Sequence, residues 1–319
     1  MKKSFLITID TEGDNLWQWK YGDSVTSHNA EYLGRFQDIC EEYGFKPVYL
    51  TNYEMAIDKN FVELAKKGLA NGTCEVGMHL HAVNNPPIGN DPSVDFPRNF
   101  PYLIEYPDDV MEQKIAFQTK LLEDTFNQKI ITHRAGRWAM DKRYEQLLIK
   151  YGYKIDCSVT PGVDWSATKG ISHDSMGSDY SDCPTKPYFL DNQKQLLEIP
   201  VSTRHFRKGF FKALGIKDIL RWGKHTLFGQ DFWLRPNGHN LEEMKYLMHK
   251  IYESDDDYIM FMLHSSELMP GGSPTFPTKE SIEKLYDLIR NVFQEASLYY
   301  KGKTLKEYAV EKQLIKITV

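Results

Sequence analysis

The chain has 319 residues, 41% hydrophobic and 26% charged, with a formal net charge of −5. This length suits one large domain or two ordinary ones, and the acidic balance excludes a general nucleic-acid binder, whose footprint would be basic. No apolar run approaches the roughly 20 residues that cross a bilayer, and Phe5–Ile9 is too short for a signal-peptide core.

Short apolar strands alternate with helical patterns along the whole chain. Ser4–Ile9 reads as a strand, Glu31–Tyr43 as a helix closed by Gly44, and Lys46–Leu50 as the next strand. Phe61–Leu69 follows as a helix and Glu75–His81 as a strand, then a proline-rich loop from Asn84 to Pro107. Asp108–Phe126 is a helix with Pro107 before it and acids in its first turn. Ile130–His133, Tyr153–Asp156, Leu196–Val201 and Asp257–Leu263 complete the strands. Arg143–Tyr151, Leu241–Tyr252 and Lys279–Ala296 complete the helices. Ser158–Gln193 is irregular, and Arg204–Trp222 is rich in basic and aromatic residues, which suit a phosphate or a partner and, more simply, a solvated helix face.

Strand–helix alternation predicts a parallel sheet, read as one α/β domain over 1–319: a distorted (β/α) barrel of seven or eight strands. Its core spans about 4–275, with a helical extension over 276–319. The four cysteines, Cys40, Cys74, Cys157 and Cys183, lie far apart without metal-knuckle spacing. They read as free thiols in a reducing compartment, which makes the cytoplasm the expected location.

In such barrels chemistry collects at the carboxyl ends of the strands. Asp10, His79, His81, Arg134, Asp156 and His264 all fall there. His79 and His81 project to one face because strand side chains alternate. With Asp10, Glu12 and Asp14 at another strand end, they suit a mixed nitrogen and oxygen site for zinc or another divalent ion. Asp10 and Glu12 face the same way if the strand continues, and Asp14 replaces Glu12 as ligand if the chain turns at Gly13. Arg134 is placed to pair with Asp10 and keep it ionised. His264 is placed as a general acid, with Asp156 or Asp164 as its carboxylate partner. A Ser-His-Asp triad through Ser265 or Ser266 lacks a Gly-x-Ser-x-Gly elbow.

The order of these motifs resembles the polysaccharide deacetylase family, also called the NodB-homology or carbohydrate esterase family 4 domain. An acid-rich strand end comes first, then His79-Leu80-His81, Arg134-Ala135-Gly136-Arg137-Trp138, Asp164-Trp165 and Leu263-His264. The resemblance implies a metal-dependent hydrolase, usually with zinc, that removes N-acetyl or sometimes O-acetyl groups from an amino sugar, oligosaccharide or lipid-linked sugar. It implies Asp10 as base, Arg134 as its holder and His264 as acid. Glu12, His79 and His81 become the metal ligands, and Trp138 and Trp165 become groove walls. The common pattern has two adjacent aspartates, where this chain has Asp10-Thr11. It also spaces the histidines four apart, where this chain has Val83. These departures resemble a branch associated with cell-surface glycan and lipopolysaccharide gene clusters. Two other readings remain: a cyclic amide or imide hydrolase on the same fold, and a carbohydrate-binding homologue without catalysis. A glycosidase using paired carboxylates is a further one.

Overall fold

The residues after Lys2 form β1 (Lys3–Thr11), buried from Ser4 onward. A strand covered on both faces reads as a nearly continuous apolar run. In this computed structural model, residues 2–17, 19–20, 23–88, 100–172, 175–210 and 216–316 are described.

From β1 the chain passes through a 3-10 turn into α1 (Leu33–Glu42), then β2 (Pro47–Thr51), α2 (Tyr53–Ala56), α3 (Lys59–Asn71) and β3 (Glu75–Leu80). Next come α4 (Asp108–Phe126), β4 (Thr132–Ala135), α5 (Lys142–Lys150), β5 (Ile155–Asp156), β6 (Tyr188–Phe189) and β7 (Leu197–Glu198). An antiparallel pair, β8 (Thr203–Phe206) and β9 (Gln230–Trp233), brackets α6 (Ile216–Phe228). The chain then forms α7 (Leu241–Glu253), β10 (Tyr258–His264), α8 (Lys279–Tyr299), β11 (Tyr300–Lys303) and α9 (Leu305–Glu311).

The main sheet runs β10-β1-β2-β3-β4-β5-β7-β6, parallel except for the last pair. It curls into a half-barrel wrapped by helices, the architecture the alternation predicts. Between β10 and the segments that follow β7 and β9 no ladder forms among the described residues. These are joined by the Tyr258 hydroxyl on the Pro200 carbonyl (2.6 Å), the Met260 amide on Ser202 Oγ (2.9 Å) and the Met262 amide on the Leu234 carbonyl (3.1 Å). Those three bonds are where the barrel is distorted.

Alternation along β1 divides the core. Leu6 packs inside the half-barrel with Val48, Leu50, Ile155, Leu197 and Met260. Phe5, Ile7 and Ile9 pack outward against the helical layer. Thr8 and Asp10 share the side of Leu6, so the row from Leu6 to Asp10 climbs the barrel interior to its carboxyl end.

One strand is shifted by two residues and two are shorter than their apolar runs imply. Ile130–His133 becomes Thr132–Ala135, and only Ile155–Asp156 and Leu197–Glu198 are laddered. After residue 275 the structure adds a strand to the expected helices: β11 pairs in parallel with β1, Lys3 opposite Tyr300. Cys40, Cys74, Cys157 and Cys183 are free thiols. No helix among the described residues is long and apolar enough to cross a membrane.

One helical side chain fixes the chain beyond β3. Lys114 of α4 is buried, and its Nζ donates to the carbonyls of Ala82 (3.0 Å), Asn85 (2.6 Å) and Pro87 (2.7 Å). Burial pushes its ammonium down to about 7. Lys114→Met is expected to destabilise the protein by about 3 kcal/mol, because three main-chain carbonyls lose their shared donor. Urea unfolding measures this, and a cost below about 1 kcal/mol would contradict it.

Candidate active site

Sheet register assembles the site. Asp10 of β1 is level with His264 of β10, and His79 of β3 is level with Arg134 of β4. Level residues on parallel neighbours point to one face, so four side chains distant in sequence meet at the barrel mouth.

Arg134 crosses the interior with no solvent exposure. Its Nη1 donates to Asp10 Oδ1 at 2.6 Å, its Nη2 to Thr8 Oγ1 at 2.9 Å, and its Nε to the Cys157 carbonyl at 3.0 Å. Burial pushes the Asp10 carboxyl up, but Arg134, His79 and His264 outweigh it and hold the group below the usual range. Asp10 Oδ2 lies 3.7 Å from His264 Nε2.

Beside this pair, Glu12, His79 and His81 converge. His79 Nε2 and His81 Nε2 are 3.1 Å apart, and Glu12 Oε2 lies 2.8 Å from His81 Nε2 and 3.4 Å from His79 Nε2. The regular ladder stops at Leu80, yet His81 keeps the face of His79. His79 Nδ1 lies 2.9 Å from the Arg134 carbonyl, which can only accept, so the ring's proton sits on Nδ1. This leaves the Nε2 lone pair facing the cluster, as a metal ligand requires. Zn–N and Zn–O bonds of about 2.0–2.1 Å at tetrahedral angles separate ligand atoms by about 3.3 Å, close to the three distances here. Donor chemistry, tautomer and spacing therefore fit a divalent ion. Burial pushes Glu12 up, but His81 and His79 hold its carboxyl well below the usual range. For His81 burial prevails and lowers the imidazole.

Asp14 is not in this cluster. It binds the Thr26 hydroxyl and accepts from the Asn29 amide at 3.3 Å. Between them Gly13 donates its amide to Glu54 Oε1 at 2.5 Å, and burial pushes the Glu54 carboxyl up to about 7. The turn at Gly13 thus carries Asp14 away while Glu12 stays on the face of Asp10.

The partner of His264 is neither Asp156 nor Asp164. Asp156 lies on the outer face of the sheet, 2.6 Å from His133 Nδ1, in a cluster with Tyr144 and Ser158. Exposed Asp164 accepts from the Ser166 amide in its own turn. His264 Nδ1 instead faces Glu267 Oε2 at 3.2 Å and Arg235 Nη2 at 3.0 Å, and Arg235 also lies 3.3 Å from Glu267 Oε1. Burial pushes Glu267 up, but His264 and Arg235 hold it below the usual range. Glu267 had a local signal, three residues past His264 at the start of a tight turn. Arg235 had none. No serine triad forms: Ser265 Oγ bonds the Glu12 main chain, and Ser266 Oγ accepts from Trp17 Nε1 at 3.0 Å.

These groups line a cavity of about 350 Å³. Trp138 and Trp165 are among its walls, as expected, joined by Leu16, Trp17, Arg137 and Arg235. Trp17 meets His264 edge-on at 5.0 Å between ring centroids, and Arg134 lies 5.0 Å from the Trp138 ring. Arg137 and Trp138 both have left-handed backbones, φ 54° and 61°, an uncommon state for bulky residues. Part of the proline-rich loop, residues 89–99, lies outside the described residues.

Gly136, just before this turn, abuts β3. A Cβ there would stand 2.4 Å from the Leu80 carbonyl oxygen and 3.3 Å from His81 Nδ1. Gly136→Ala is therefore expected to displace His81 and to weaken the binding of added zinc about tenfold or more if the cluster takes an ion, since supports of metal ligands carry effects of this size. Competition with a chromogenic chelator measures it, and unchanged affinity would rule the displacement out.

No protein-family model and no curated protein matches the chain in sequence. Solved structures match it in fold. A candidate polysaccharide deacetylase from Mycobacterium smegmatis superposes with a TM-score of 0.56 at 12% identity, covering 100% of this chain and 94% of its own. The fold is NodB-like. This NodB-like barrel also matches a 4-alpha-glucanotransferase from Thermococcus litoralis, TM-score 0.55 at 12% identity, over 98% of this chain and 41% of that one. A GH57-type branching enzyme from Pyrococcus horikoshii matches with a TM-score of 0.54 at 12% identity, over 100% of this chain and 71% of its own. The NodB-like fold thus accommodates more than one chemistry, and the site residues must discriminate among them.

Proposed function

We propose that the protein is a metal-dependent hydrolase that removes an acyl group, N-acetyl foremost, from an amino sugar of a glycan or glycan precursor. The observation that carries this reading is the convergence of Glu12, His79 and His81 beside the Asp10–Arg134 pair.

Glu12, His79 and His81 would hold the ion, and two imidazoles with one carboxylate suit zinc. When bound, such an ion lowers the pKa of a bound water to about 7 and polarises a carbonyl oxygen. Asp10 Oδ1 is engaged by Arg134, so Oδ2 is the oxygen that takes the proton from the attacking water. Arg134 keeps that carboxylate ionised and oriented. His264, its Nδ1 held between Glu267 Oε2 and Arg235 Nη2, presents Nε2–H to the leaving nitrogen. Water oxygen bonds to the acyl carbon, the carbon–nitrogen bond breaks, and the products are a carboxylic acid and a free amine. Trp138, Trp165 and Trp17 offer faces to a pyranose ring.

The glycosidase reading is weaker. It needs carboxylates on both sides of the scissile bond. Asp10 and Glu12 instead rise from one side of one strand, and Glu12 is enclosed by two imidazoles.

The deciding experiment incubates zinc-loaded protein with N-acetylated nucleotide sugars, lipid-linked sugars and oligosaccharides, assaying acetate, reducing ends and ring-opened amides. Acetate release that His264→Ala and chelation abolish supports the proposal. Reducing sugar or a ring-opened amide instead moves the assignment to a glycosidase or cyclic amidase, and binding without turnover moves it to a carbohydrate-binding protein.

A further inference from the structure

Helix α6 stands out from the molecule. Ile219, Leu220, Leu227 and Phe228 are 48%, 67%, 69% and 72% exposed, an uncommon density of large apolar side chains in water. Ile219, Leu220 and Leu227 share one stripe, at helical spacings of one, seven and eight residues. A different side faces the protein: Gly209 lies against the Trp222 carbonyl and Thr226 Oγ1, close enough that a Cβ would clash. The stripe therefore points outward by construction.

Charge identifies what the stripe faces. Arg204–Phe228 contains seven lysines and arginines and one acid, Asp218, in a chain whose net charge is −5. Lys224 and Arg207 are exposed on this excursion. An outward apolar stripe flanked by lysine and arginine is the pattern of helices that lie in the plane of a bilayer interface. Basic side chains add attraction to anionic headgroups. A second copy of the chain fits less well, because it would bring two strongly basic segments together.

The excursion is also tied to the cavity. It leaves the barrel through β8 and returns through β9, whose Trp233 ring centroid lies 6.3 Å from both Trp138 and Trp165. Two residues past β9 is Arg235, which contacts His264.

We infer that α6 is a peripheral membrane-docking helix that seats this chain on an anionic lipid surface beside the mouth of its cavity. This assignment does not depend on the reaction proposed above. The test is co-sedimentation of the full chain with phosphatidylcholine vesicles, with and without phosphatidylglycerol, at low and high salt. The expected result is binding to the anionic vesicles, weakened by salt. The double variant Leu220→Glu, Leu227→Glu should bind about tenfold or more weakly, with circular dichroism and melting temperature unchanged because both residues are exposed. Protein left in the supernatant with anionic vesicles at low salt overturns the inference, as does equal pelleting of the variant. Self-association of the wild type without lipid, lost in the variant, also overturns it and makes a second copy the occupant.

Discussion

Asp10→Asn is expected to lower kcat about a thousandfold, with KM nearly unchanged and zinc still bound, the pattern of a lost general base. The amide keeps an oxygen for Arg134 Nη1, which now lies 2.6 Å from Asp10 Oδ1, so the local geometry can persist. The atom facing His264 becomes an amide nitrogen, which does not take a proton in the working pH range. Arg134 also loses its counter-charge while wholly buried. Removing one partner of a buried ion pair costs about 3–5 kcal/mol, and the retained hydrogen bond places this variant at the lower end. Melting temperature and turnover should therefore both fall. Assays well below the variant's melting temperature separate the effects. A variant that melts earlier yet retains most of its kcat would remove Asp10 from the proton path and leave it a counter-ion for Arg134.

Features of the barrel that are local were legible in the chain. The helix Asp108–Phe126 has the expected bounds because its ends are written nearby: Pro107 and two acids open it, and Asn127 closes it in the left-handed region at φ 50°. The apolar runs that became β1 and β10 were equally clear, since strands buried on both faces must be apolar throughout. The His79–His81 pairing was readable from side-chain alternation alone.

What was hidden depends on partners far away in sequence. Tyr300–Lys303, with two lysines and a glycine, has no strand signature and becomes β11 only because β1 offers it a parallel edge. Glu12 was the expected acidic ligand and Asp14 its alternative if the chain turned at Gly13. Glu54, Thr26 and Asn29, each more than ten residues away, separate them. The carboxylate beside His264 was sought at Asp156 or Asp164, but Asp156 faces outward to His133, Asp164 stays in its own turn, and Glu267 comes from the next turn. Arg235 arrives from beyond the hairpin that brackets α6, where no short-range pattern points at His264.

His79→Ala should abolish stoichiometric zinc and reduce acyl hydrolysis by about ten-thousandfold, because a three-ligand site that loses one ligand no longer holds its ion. His79 is the best supported member of the cluster: it is buried, and its Nδ1–H is held by the Arg134 carbonyl. Metal analysis after dialysis reads the first effect independently of activity, and a variant that retains one zinc per chain would refute the ligand assignment. The apo-protein adds a pH test. Burial pushes the His79 imidazole down, but Asp10 and Glu12 outweigh it, so the ring holds its proton above the usual histidine range. A metal must displace that proton to bind Nε2. Zinc affinity should therefore be full at alkaline pH and weaken as pH falls through the raised pKa of His79, beginning above pH 6.5, the ordinary histidine value. Competition titrations across this range in wild type and Asp10→Asn complete the argument. Without the Asp10 charge the His79 pKa drops, and the loss of affinity should move to lower pH.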